Sequence, residues 1–218
     1  LFVKFEGHEN TNTLITSSAA SKFYSCEAGL PKQKISQDLT VKRGSLLEWV
    51  PHENIFFEGS KTELHNKIVM SNESRFFGWE IMVLGRLESD KNSFGGTLRS
   101  ATTITKNGRL IHRDFFEYCP EMDRCSWGLN GKRVIGSLIA TSAYIEDEGF
   151  GRLFADIKKN TGSQSFGATR KKGLFLLRYL GSSVEECKNG FNVARDALHQ
   201  SEALMFGCHG VRPRIWNY

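Results

Sequence analysis

The sequence predicts a mainly β fold: an antiparallel sandwich or barrel-like body that carries two short helices in its C-terminal third. Three observations lead there. The hydrophobic period is two over most of the first two thirds of the chain, and two late segments switch to helical spacing. The order of strands first and helices last excludes an alternating βαβ design and fits an all-antiparallel body with peripheral helices.

The chain opens inside an alternating stretch, LFVKFEGHENTNTLIT, with no Met, cap or turn before Leu1, so a further N-terminal part is expected upstream. In SLLEWVPHENIFFEG, Ser45 to Gly59, Pro51 interrupts a strand signature. Proline cannot donate to a ladder and belongs at an edge, a strand start or a bulge. Apolar residues resume at Ile55, Phe56 and Phe57, so the stretch is expected to be two strands joined by a bend. Trp49, Ile55 and Phe57 are then free to pack the core, with His52 and Glu53 on the outside of the bend.

KTELHNKIVM alternates Thr62, Leu64, Asn66, Ile68 and Met70 against Lys61, Glu63, His65 and Lys67, as a half-buried antiparallel strand would. His65 falls on the polar face. FFGWEIMVLGRLE is more continuously apolar, which suits a central strand closed by Gly85. GTLRSATTITKNGRLIHRDFFEY is a hairpin by its own chemistry, because Asn107-Gly108 supplies the two positive φ angles of a type I′ turn. KRVIGSLIATSAYI and GLFLLRYL repeat the strand signature.

In DEGFGRLFADIKKN, Phe150, Leu153, Phe154 and Ile157 lie at i, i+3, i+4 and i+7, with Asp147 and Glu148 at the positive N-terminal end and Lys158 and Lys159 at the other. In SSVEECKNGFNVARDALHQS, Ser183 and Glu186 have capping-box spacing, and Val184, Cys187, Phe191, Ala194 and Leu198 form one apolar stripe. Cys187 therefore reads as a small buried hydrophobe. No sequence repeat or low-complexity linker divides the chain, so residues 1–218 are expected to form one domain.

The 218 residues carry a net charge of +5, modest for a nucleic-acid binder and spread along the chain. The densest basic run, TRKKG with Arg170 to Lys172, reads as a solvated loop or as a contact for an acidic protein partner. No window approaches the roughly 18 apolar residues of a membrane span. Five cysteines, Cys26, Cys119, Cys125, Cys187 and Cys208, contain no CxxC pair, which signals neither a disulfide framework nor a zinc ribbon and fits a reducing compartment.

Enzyme signatures are sparse. SDKNSFGGTLRS has the glycines of a phosphate loop but opens a strand and lacks a following GKS or GKT, and no G-x-S-x-G elbow occurs. For metal ligation the nearest groupings are His52-Glu53 and Cys208-His209, and both are also explained as surface or packing residues. Two carboxylates stand inside apolar runs. Glu80 in GWEIMVLGR and Glu48 in LLEWVP either pair with a cation, such as Arg86 for Glu80, or line an internal polar passage.

Five segments in order carry a resemblance: ITSSAASKFYSC, LTVKRGSLLEWVPHENIFFEGS, WEIMVLGR, LFLLRYLGSS and RPRIWNY. Together they resemble the urease accessory protein family UreD, also called UreH, over nearly the whole chain. The positions that match its motifs are Lys22, Tyr24, Glu48, Pro51, Phe57, Glu80, Gly85, Arg86, Arg178, Gly181, Arg195, Pro213, Arg214 and Trp216. The sequence departs from the family pattern after LGR, where Glu88, Asp90 and Phe94 stand without the usual Gly-Glu pair, and at Ser21, where a threonine is common.

The resemblance implies a mostly β scaffold with two helices and no catalytic residues. It implies that such a protein binds the accessory protein UreF, recruits the GTPase UreG through it, docks on apo-urease in the cytoplasm and helps to insert nickel. It further implies Ni²⁺ in transit through an internal tunnel, with no tightly bound cofactor, no nucleic acid and no membrane involved. Glu48, Glu80, Cys208 and His209 are the candidate residues of that nickel path. Two other classes stay open on residue grounds. One is a cupin-like β-barrel metal-binding protein or enzyme using His52, Glu53 and His65; the other is an OB-like nucleic-acid module presenting Phe56-Phe57 or Phe115-Phe116.

Overall fold

The computed structural model describes residues 1–26, 29, 31–87, 94–141, 147–162, 164–171, 173–200 and 216. The chain winds in coils between two stacked sheets. The first coil runs β1 (Phe2–Glu6), β2 (Asn12–Ile15) and β3 (Ser21–Phe23), and the second runs β4 (Gln33–Val41), β5 (Leu46–Trp49) and β6 (Asn54–Phe56). The third is β7 (Lys61–Met70) followed by β8 (Arg75–Leu84). Then come the hairpin β9 (Thr97–Lys106) and β10 (Arg109–Glu117), a 3-10 turn at Pro120–Asp123, β11 (Val134–Thr141), α1 (Asp147–Thr161), β12 (Phe166–Lys171), β13 (Leu174–Gly181) and α2 (Val184–Gln200).

One sheet has the order β1-β4-β7-β9-β10 and the other β12-β13-β11-β8-β5-β2, with β3 and β6 continuing alongside the far end of β8. The β-rich body and the two late helices are as expected. The strand directions differ from expectation: β1, β4, β7 and β9 are mutually parallel, as are β2, β5 and β8. KTELHNKIVM is thus a parallel strand on both sides. Alternating polarity reports which face is buried and is silent about direction, and here each connection crosses to the other sheet instead of turning back. Antiparallel pairing is confined to β9–β10 and to β8–β11–β13–β12. Neither sheet closes into a barrel among the described residues, since β1, β10, β12 and β2 end the two orders as edges.

The hairpin turn is the one its sequence demands, with Asn107 at φ 51° and Gly108 at φ 74°. Pro51 separates β5 from β6, so one strand ends and the next begins across the bend. The stacked coils align like residues: Phe5, Leu39, Ile68 and Ile104 form one rung. At one end Phe23 stacks on Phe56 and Tyr24 on Phe57, with ring centroids 4.7 and 4.9 Å apart. Arg86 lies over the Phe57 ring.

The helices cover the outer face of the second sheet and make a third layer. Phe77, Trp79, Ile81 and Val83 from β8 meet Leu153, Ile157, Cys187, Phe191, Ala194 and Leu198 from the helices. Cys187 is fully buried there, and burial pushes its thiol well up from its ordinary value, as expected of a packing residue. Gly136 on β11 permits this close approach, because a Cβ there would come within 2.5 Å of the Cys187 Sγ. Ser183 caps α2 by accepting the Glu186 N–H at 3.1 Å. Glu186 does not complete the capping box but accepts the Tyr179 hydroxyl at 2.5 Å, and that hydroxyl accepts the Ser183 N–H.

Candidate functional site

Period-two alternation along β8 sends Phe77, Trp79 and Ile81 to the helices and the intervening residues to the space between the sheets. Glu80 therefore faces inward, although its neighbours in sequence are apolar. Register extends it into a polar row, with Glu80 beside Ser137 on β11 and Ser137 beside Arg178 on β13. The opposite sheet presents a matching row: Gln37 on β4, Asn66 on β7, Thr102 on β9 and Asp114 on β10. The two rows form a polar belt through the sandwich. It divides the interior into two apolar clusters, one around Leu64, Met82 and Leu98 and the other around Leu39, Ile68 and Ile104.

Space follows the belt. A cavity of about 490 Å³ is lined by Glu80, Ser100, Thr102, Asp114, Ser137 and Arg178, among others. A second of about 180 Å³ extends toward β1 and includes Gln37 and Asn66. Glu80, Thr102 and Ser137 line both, so these three residues border the two spaces in common.

Ser100 Oγ donates to Glu80 Oε2 at 2.7 Å, and Asn66 Nδ2 donates to Oε1 at 3.2 Å and to Thr102 Oγ1 at 3.2 Å. Burial nonetheless pushes the Glu80 carboxyl above the ordinary carboxylate value, because two neutral donors do not replace the water it has lost. Nearby Asp114 adds to the rise and Arg178 opposes it. Arg178 Nη1 meets Asp114 Oδ2 at 2.6 Å and also contacts Ser137 Oγ. Arg86, the cation suggested by sequence for Glu80, is occupied instead by the Phe57 ring.

Glu48 belongs elsewhere. On the parallel neighbour β5 it pairs in register with Phe77, which places it on the helix side of the second sheet. There Arg195 Nε reaches its Oε2 at 2.5 Å, Arg195 Nη2 reaches Oε1 at 3.2 Å and His199 Nε2 lies 3.1 Å from Oε2. Burial raises the Glu48 carboxyl, and the bonds from His199 and Arg195 outweigh it and hold the group below its ordinary value. Trp216 completes this clasp, its ring 5.6 Å from the Arg195 guanidinium and from the Trp79 ring, while its Nε1 donates to Thr16 Oγ1 at 3.0 Å. Glu48 is thus an anchor for α2 and does not join Glu80 in the cavity.

His52 and Glu53 are not on the outside of the bend. Both are mostly buried under α2, where Lys188 Nζ meets Glu53 Oε2 at 2.6 Å and His52 Nδ1 at 3.0 Å. Burial and the adjacent ammonium lower the His52 imidazole from its ordinary value. His65 is exposed on β7, 3.8 Å from Glu63. These three residues do not converge, and no group of three or more His, Cys, Asp or Glu suited to a metal occurs among the described residues. The cupin-like reading fails on that separation and on the open sheets. Cys208, His209, Pro213 and Arg214 lie outside the described residues, as do Glu88 and Asp90.

Of the remaining motif positions, Lys22 and Tyr24 are exposed around β3, Gly85 ends β8 at φ 75° and Gly181 ends β13. Sequence reasoning missed Asp114, Lys188 and His199, and it named Arg195 as a motif position without its partner Glu48. The cations had a legible signal, because i, i+7 and i+11 share one side of a helix beside the apolar stripe. Asp114 had none beyond its place in an alternating strand.

A family model described as the UreD urease accessory protein matches residues 1–217. The chain belongs to the UreD family. Curated relatives agree: the urease accessory protein UreD of Saccharophagus degradans is 31% identical over 95% of this chain and 70% of its own length. That of Trichormus variabilis is 30% identical over 95% and 72%, and that of Nitrosococcus oceani 28% over 93% and 66%. Membership assigns this chain a part in urease maturation as an accessory protein. No helix among the described residues is long and apolar enough to cross a membrane.

Proposed function

We propose that this chain is a non-enzymatic scaffold that binds UreF, recruits UreG through it, docks on apo-urease in the cytoplasm and lets Ni²⁺ pass between its two sheets. The observation that carries this reading is the polar belt, in which Glu80 lines both cavities. A carboxylate with hydroxyl and amide neighbours offers hard oxygen ligands, which hold a hydrated divalent ion weakly enough to release it. A resident cofactor would need three or four converging ligands; a cargo ion needs only a wet, negatively biased path. Asp114 and Glu80 supply the bias, and the Ser and Thr hydroxyls replace part of the water shell.

The test is Glu80→Gln, which keeps the shape, lets the amide oxygen accept from Asn66 and its NH2 donate to the Ser100 hydroxyl, and removes the ionisable carboxyl. Urease matured with this variant should contain markedly less nickel while the variant still co-purifies with UreF. Full nickel loading by a variant that retains its partners would overturn the passage.

A further inference from the structure

The geometry points to Arg178 as a displaceable counter-cation, which occupies the passage at Asp114 until a divalent ion takes its place. The inference rests on the passage proposed above. The Arg178 guanidinium meets the Asp114 carboxylate at 2.6 Å, whereas Glu80 is held only by the neutral donors Ser100 and Asn66. An entering Ni²⁺ would find its strongest anionic ligand covered by a cation. Like charges at that range repel, so a divalent ion on Asp114 loosens the guanidinium, which holds Oδ2 alone.

The surroundings suit a side chain that moves. Arg178 is not locked in the apolar core; its side chain and that of Asp114 are 40% and 34% exposed, through the larger cavity. Beside it on the edge strand β12, Gly167 pairs in register and has no side chain to block a swing toward the cavity mouth. By contrast Arg195, another motif arginine, is 1% exposed and held by both oxygens of Glu48. One arginine is a fixture, whereas the other sits in a wet space on a single carboxylate oxygen and a serine hydroxyl.

Displacement also accounts for direction of charge. When Ni²⁺ arrives, the guanidinium leaves Asp114 for solvent and the ion gains one carboxylate. When the ion departs, the guanidinium returns and covers that carboxylate again, which disfavours re-entry. Arg178 is in this sense a positioning residue for the cargo, and Ser137 sets its resting place between Glu80 and Asp114.

The experiment is a calorimetric titration of the full protein with Ni²⁺ alone. Arg178→Met should bind Ni²⁺ on the order of tenfold more tightly than the unaltered protein, the size expected from freeing one partly solvated carboxylate from its cation. Arg178→Lys should restore the weaker binding, and Asp114→Asn combined with Arg178→Met should abolish the gain. Ser137→Ala, which only loosens the resting place, should give a smaller gain in the same direction and serves if Arg178→Met fails to fold. Unchanged Ni²⁺ affinity in a folded Arg178→Met or Ser137→Ala protein would overturn the role of Arg178, as would a gain that persists without Asp114. Nickel loading by Glu80→Gln reports on the passage itself, so the two failures are distinguishable.

Discussion

Arg195 on α2 closes on Glu48 of β5 with Nε 2.5 Å from Oε2, and both side chains are almost fully removed from solvent. Such a pair contributes little as a pair but is costly to break, because one partner left alone is an uncompensated buried charge. Arg195→Met should therefore destabilise the protein by roughly 3–5 kcal/mol in urea unfolding. Glu48→Gln combined with Arg195→Met should recover much of that loss. A single variant as stable as the parent would show that the clasp is not closed in solution.

Acid should loosen the same helix. Glu48 and Glu53 are both held below the ordinary carboxylate value of 4.5, after their bonds to α2 cations overcome desolvation. A depressed folded value means stability that is present above the unfolded value and lost as pH falls through the folded one. Stability should hold from neutral pH to about 4.5 and decline below it. Replacing Glu48 and Glu53 together with Gln should flatten that acid limb, which stability curves at stepped pH would reveal.

Glu80 has the opposite sign. Its folded value is raised, so its contribution is complete below 4.5 and falls as pH rises through the folded value. Glu80→Gln should be at least as stable as the parent at pH 7, with the difference shrinking in acid. A melting series across pH checks this, and a variant less stable at neutral pH would contradict it.

Gly136 tests the contact between α2 and the sheet. An added methyl would meet Cys187 Sγ at 2.5 Å and Phe191 Cζ at 2.8 Å. Gly136→Ala should cost roughly 1–3 kcal/mol by overpacking. Pairing it with Cys187→Ala should return part of that loss, as double-mutant unfolding would show.

Tyr179→Phe removes the hydroxyl that bonds Glu186 and receives the Ser183 N–H. About 1–2 kcal/mol of stability should go with it, since two partners lose a buried bond. Helix content by circular dichroism should be almost unchanged, because Ser183 still caps α2.

Local chemistry was legible in the sequence, and pairing across long separations was not. Asn107-Gly108 named its hairpin, Ser183 its helix start and Pro51 its bend, since each is decided within a few residues. The coils left no repeat to find: Leu14, Glu48 and Phe77 are neighbours in one row yet share no chemistry. The belt was hidden for the same reason. Gln37, Asn66, Thr102 and Asp114 come from four strands, and only register brings them side by side. Glu80 and Glu48 posed one question in sequence and received different answers, because alternation and register place them on opposite faces of one sheet.

The winding of the chain also has a temporal side. Phe5 cannot find Leu39, nor Leu39 find Ile68, until the intervening coil has crossed to the other sheet and returned. Among the described residues, β9–β10 and β12–β13 are the pairs joined by a short turn that can zip locally. Loop closure of this kind must precede the contacts that reward it, which makes folding slow and leaves unpaired parallel edges exposed meanwhile. A protein that helps another to mature is thus, during its own synthesis, a demanding client for chaperones.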